Sequence, residues 1–125
     1  MSGPNPLLTS FAGLEAASNQ LVKVRFPPVR GFFSSLLGNA YLQLGDARRA
    51  IQYYEQALAI DREIGDRQGE GNWLGNLGEA YRNLGDARRA IQYYEQALAI
   101  RREIGDRRGE GGTLSLFSTS LCEIT

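Results

Sequence analysis

Cys122 is the one thiol in the chain, and no histidine is present to activate it. The same absence removes the commonest general base and metal ligand, so histidine triads and histidine-bearing zinc sites are excluded. Gly69-Glu70-Gly71 and the series Gly71, Gly75, Gly78 have the composition of a phosphate loop. No strand precedes them and no Gly-Lys-Ser/Thr follows, so their spacing reads instead as close helix packing. The pairs Tyr53-Tyr54 and Tyr93-Tyr94 could stack bases, but no basic groove accompanies them. Asp61, Glu63 and Asp66 lack the spacing of a calcium loop and alternate with arginine, which reads as a solvated face. The residues therefore predict no catalytic group, no metal and no cofactor.

The bulk properties narrow the class further. A chain of 125 residues with 42% apolar content fits one small soluble domain. Fourteen basic residues, all but Lys23 arginine, balance fourteen acidic ones, so no global field draws nucleic acid or an anionic membrane. No apolar run approaches the ~18 residues of a membrane span. The N-terminus, MSGPNPLLTSF, lacks a secretory pattern, and a single cysteine makes no internal disulfide. These features predict a non-enzymatic cytoplasmic protein with no nucleic-acid or membrane ligand.

Internal repetition decides the elements. Residues 37–70 and 77–110 are identical at 29 of 34 aligned positions, forty places apart. The differences are Asn39/Glu79, Leu42/Arg82, Gln43/Asn83, Asp61/Arg101 and Gln68/Arg108. Within the second copy, Leu74, Leu77, Tyr81 and Leu84 recur at helical steps and define a helix A. Gly85 ends it, and Asp86 caps a helix B whose stripe is Ala87, Ala90, Ile91, Tyr94, Ala97, Leu98 and Ile104. Gly105 or Gly109 breaks helix B, with Glu103 and Arg107 four apart near that end. The first copy repeats the plan with Leu37, Tyr41 and Leu44, Gly45-Asp46, then Ala47, Ala50, Ile51, Tyr54, Ala57 and Leu58.

A short connection makes A and B an antiparallel hairpin, and small Gly78 and Ala90 allow close approach. Stacking the hairpins buries the side that one alone leaves open. The expected fold is all-α, a right-handed α-solenoid. Its parts are an arm or capping helix over 1–30, units over 31–70 and 71–110, and a partial third helix A with a tail over 111–125. Ser10 to Val24 carries Leu14, Ala17, Leu21 and Val24 on one side of a possible helix that Pro27-Pro28 would end.

Leu77-Gly78-x-x-Tyr81 followed by Ala90, Tyr94 and Ala97 resembles the tetratricopeptide signature, and Leu37-Gly38-x-x-Tyr41 with Ala50, Tyr54 and Ala57 matches it again. The forty-residue period is similar to the longer-repeat branch seen in G-protein-signalling modulator proteins and bacterial arrays, over roughly residues 31–121. Leu74 and Ser34 stand where the family usually has tryptophan. Arg62 and Arg102 take the usual proline position, which suits a longer helix B.

Such a resemblance implies a partner protein or peptide held in the concave groove formed by the helices A. On helix A of the first unit, Asn39, Leu42 and Gln43 point away from the Leu37-Tyr41-Leu44 arc, together with Phe32, Ser35 and Leu36. The equivalent set is Asn72, Gly75, Asn76, Glu79, Arg82 and Asn83. Three of the five differences between copies fall on this side. The expected partner-binding residues are therefore Asn39, Leu42, Gln43, Asn72, Asn76, Glu79, Arg82 and Asn83, with the amides and Arg82 supplying hydrogen bonds. In the resembling branch an asparagine after Leu-Gly bonds the peptide backbone, and an arginine near the start of helix A meets acidic ligands. Asn39 matches the first, whereas Glu79 and Asn72 depart from both. Phe32, Leu36 and Leu42 leave the first-unit groove apolar, either for a ligand or under residues 10–24.

Two other readings compete with an interaction module. Open apolar ends, Trp73 with the Phe117 segment, suit a homo-oligomer, and the abrupt change at GGTLSLFSTSLCEIT suits a fragment of a longer array.

Overall fold

A computed structural model describes residues 27–124. The helix expected over Ser10–Val24 lies outside them. Five helices follow one another: α1 (Pro27–Gln43), α2 (Ala47–Ile64), α3 (Arg67–Asn83), α4 (Ala87–Ile104) and α5 (Arg107–Ile124). Each packs against its neighbours in sequence, so α1-α2 and α3-α4 are stacked hairpins and α5 begins a third. No helix among the described residues is long and apolar enough to cross a membrane.

One device makes every turn. Gly45, Gly65, Gly85 and Gly105 have φ between 75° and 82°, the left-handed region that a side chain would strain. The aspartate after each turns its N–H back to a carbonyl five residues earlier, Asp46 to Tyr41 at 2.9 Å and Asp106 to Arg101 at 2.8 Å. Its carboxylate then caps the next helix, accepting from the N–H of Arg49, Gly69, Arg89 and Gly109 at 2.9–3.2 Å. The break after helix B is thus at Gly105, and Gly109 lies inside α5. Helices α1 and α3 begin four residues ahead of positions 31 and 71.

The duplicated stripes make the core. Leu37, Leu74, Leu77, Tyr54 and Tyr94 are at most 1% exposed, each stabilising by roughly 1.5–3 kcal/mol. Gly38 and Gly78 lie flat on the rings of Tyr54 and Tyr94; a Cβ on Gly78 would meet Tyr94 Cε1 at 2.5 Å. Tyr53 and Tyr93 stack on Tyr41 and Tyr81 with centroids 5.6 and 5.3 Å apart, and Arg49 and Arg89 lie over the Tyr41 and Tyr81 rings.

Several expected positions differ. Leu44, Leu84 and Ile104 leave the stripe, at 71, 42 and 38% exposure, because they sit at helix ends that no neighbouring element covers. Glu103 and Arg107 do not pair within one helix, since Gly105 turns the chain between them; Glu103 bonds Arg67 of α3 instead. Trp73 lies between units and not at an open end. Its ring stacks on Tyr54 at 6.1 Å and its N–H reaches Asp61. Asp61 is buried where a solvated face was expected, because α3 packs over the end of α2. Arg62 and Arg102, at the usual proline position, donate to Glu70 and Glu110 of the following helix at 3.0 and 2.6 Å.

Candidate functional site

Residues 72, 76, 79 and 83 advance along α3 by three or four, which carries them along one side of the helix. The opposite side is occupied by Leu74, Leu77 and Gly78 in the core. Between the first of these sides and α5 runs an open groove of about 250 Å³. Asn72, Asn76 and Glu79 line it from α3, Gly112, Thr113 and Leu116 line it from α5, and Arg101 lines it from α4.

The candidate residues arrive in different states. Asn39 is exposed, yet its side-chain oxygen accepts from Tyr54 Oη at 2.7 Å, which leaves its NH₂ to donate outward. Leu42 packs against the core and Gln43 is exposed. Asn72 Oδ1 accepts from Arg101 Nη2 at 3.2 Å. Arg82 Nε donates to Glu123 of α5 at 3.0 Å, so the guanidinium expected to be free for a ligand bridges two helices A. Asn83 is exposed and Asn76 partly so. The groove between α3 and α5 brings together Asn72, Asn76 and Glu79, whereas Asn39, Leu42 and Gln43 stand on α1, as does Phe32.

Sequence reasoning missed Arg101. Its Nη1 pairs with Asp106 at 2.7 Å, its Nη2 reaches Asn72, and its buried Nε has no partner among the described residues. The backbone N–H of Gly109, then Arg101, hold the Asp106 carboxyl below the usual carboxylate range. The signal was in the sequence as the Asp61/Arg101 difference. At the preceding junction Asp61 and Trp73 hold the places of Arg101 and Thr113, and burial pushes the Asp61 carboxyl up against the opposing pull of the Trp73 bond. At both junctions a glycine of the next helix lies against the charged side-chain end: a Cβ on Gly69 would fall 2.1 Å from Asp61 Oδ2, and one on Gly109 2.0 Å from Arg101 Nη1.

Tyr54 and Tyr94 extend their hydroxyls toward this side. Burial, then the charge of Glu79, pushes both phenols up to about 12, so both stay neutral at ordinary pH. Tyr94 Oη has no hydrogen-bond partner among the described residues, whereas Tyr54 has Asn39; Glu79 stands at the place matching Asn39. Cys122 is exposed near the end of α5.

A sequence profile described as tetratricopeptide repeat matches residues 33–103. The chain belongs to the tetratricopeptide repeat family. Its similarity to G-protein-signaling modulator 1 of mouse, rat and human is 48% identity over 42 residues, which is 34% of this chain and 6% of each relative. Among solved structures it is similar to a signal-transduction ATPase with numerous domains and a tetratricopeptide repeat sensor, from Pyrococcus horikoshii. That match has a TM-score of 0.75 at 22% identity, covering 90% of this chain and 18% of that one. It is also similar to the N-terminal domain of stress-induced protein-1 from C. elegans, with a TM-score of 0.61 at 16% identity, covering 90% and 98% of the two chains. These likenesses establish the tetratricopeptide solenoid; the chain spans only a small part of the modulator and ATPase relatives.

Proposed function

We propose that this tetratricopeptide chain is a non-enzymatic interaction module that takes a peptide segment of a partner protein along the exposed side of α1, α3 and α5. The observation that carries the reading is the open groove in which Asn72, Asn76 and Glu79 face a second helix A. Amides spaced by one helical turn offer donors and acceptors to an extended backbone without selecting one sequence strongly. Asn39, Gln43 and Asn83 continue that polar face at its exposed margins. The reading carries with it a cytoplasmic setting and no nucleic-acid or membrane ligand.

The test is binding of peptides selected from a displayed random dodecapeptide library, measured by fluorescence anisotropy. The triple variant Asn39→Ala, Asn76→Ala, Asn83→Ala should weaken a selected peptide about tenfold or more, as loss of several interfacial hydrogen bonds does. Unchanged affinity would remove the assignment.

A second reading, self-assembly, is favoured by the outer side of α5. Leu114, Leu121 and Ile124 are 38–43% exposed there, and Ile124 faces Leu84 across a hollow of about 440 Å³. Light scattering over a concentration series separates the two: a dimer that grows with concentration supports assembly, and a constant monomer mass rejects it.

A further inference from the structure

The charge inventory of the groove goes one step further, on the reading that the groove is a peptide site. The cation that lines it is already engaged, Arg101 with Asp106 at 2.7 Å, and so is Arg82 one turn beyond Glu79, with Glu123 at 3.0 Å. Glu79, on the same wall, has no ion-pair or hydrogen-bond partner among the described residues. We propose that Glu79 selects a partner peptide carrying a lysine or arginine side chain over neutral or acidic ones.

Several observations support that choice. The neighbours of Glu79 along the α3 wall are the neutral amides Asn72 and Asn76, which neither repel nor replace an incoming cation. Arg82, one turn on, feels the charge of Glu79, but its Nε is already given to Glu123. The Glu79 charge also reaches both Tyr54 and Tyr94. Those two phenols belong to different hairpins, and Glu79 stands on α3, the middle one of the three helices A. In the first unit the matching residue is Asn39, neutral and bonded to Tyr54. The copies thus differ here by one unit of charge at one place. An acidic peptide would meet an unneutralised carboxylate where its own would have to lie, and would have to displace Asp106 or Glu123 to reach an arginine.

The experiment reads the composition of the selected peptides and the effect of Glu79 variants on them. Peptides enriched from the random dodecapeptide library should carry lysine and arginine in clear excess over aspartate and glutamate, and should bind more weakly as salt rises. Glu79→Gln should weaken the best of them about fivefold, the scale of one partly exposed charge pair. Glu79→Lys should turn the preference toward acidic peptides. Enrichment of neutral or acidic sequences, or equal binding to Glu79→Gln, overturns the charge preference while leaving the groove in place. Absence of any enriched peptide, or full binding by the triple variant above, overturns the groove reading and this inference with it.

Discussion

The indole N–H of Trp73 donates to Asp61 Oδ2 at 2.5 Å, joining the end of helix B of one unit to helix A of the next. Asp61 is 8% exposed, and burial raises its carboxyl above the usual range. The folded form therefore binds this proton more tightly than the unfolded chain does. The resulting stabilisation is fully present below the unfolded value near 3.8 and is lost as pH rises through the folded one. Asp61→Asn keeps an acceptor for Trp73 and cannot ionise. It should melt higher than the parent at neutral pH, and the gain should shrink as pH approaches 4. A gain that is absent at neutral pH, or that grows on acidification, contradicts the account.

Trp73→Phe keeps the ring on Tyr54 but removes the donor. Asp61 is then buried beside Asp66 and Glu70, both of which already raise it, without its bond to the indole. Urea unfolding should show a loss of about 1–3 kcal/mol, larger at neutral pH than at pH 4. A neutral effect at both would show that the bond does not matter to the junction.

Gly78→Ala introduces a methyl group 2.5 Å from the Tyr94 ring, whose position is fixed by the hairpin core. Alanine is otherwise the better helix former, so propensity alone predicts stabilisation. The clash should win, with a net loss of about 1–3 kcal/mol. The matching change Gly111→Ala has nothing within 4 Å of its Cβ and serves as the control; it should be neutral or stabilising in the same denaturation series.

Ser120 stands on α5 where Ala80 stands on α3, fully buried, and its hydroxyl has no partner among the described residues. Ser120→Ala removes an unsatisfied polar atom without opening a cavity. Stability should rise by about 1 kcal/mol, seen as a melting temperature roughly 4–8 °C higher. An unchanged or lower melting temperature would mean that the hydroxyl is satisfied in solution.

The helix pairs, the Gly45-Asp46 and Gly85-Asp86 turns and the tyrosines beneath Gly38 and Gly78 were legible because the duplication prints each rule twice. Helical periodicity assigned Leu44, Leu84 and Ile104 to an apolar stripe correctly by angle. It carries no information on where a neighbouring helix stops, and these three fall past that limit. Asp61 looked solvated among alternating charges, and its burial depends on Trp73, twelve residues on in another helix. The candidate groove was legible as a helix face, so Asn72, Asn76 and Glu79 were found together. Arg101 was not, since it comes from a helix B and reaches the groove beside Gly109 of α5, a juxtaposition that helical periodicity does not encode. The engagement of Arg82 by Glu123 spans 41 residues and ends on a residue outside the duplicated segment.

The central claim, that the polar side of the helices A receives a partner peptide, is tested most directly by a nuclear magnetic resonance titration. A peptide selected as described is added to nitrogen-labelled protein, and the backbone and side-chain amide signals are followed. The account predicts saturable shifts concentrated at Asn39, Asn72, Asn76, Glu79 and Asn83. Shifts confined to Leu114, Leu121 and Ile124 of α5, with α1 and α3 unmoved, would contradict it.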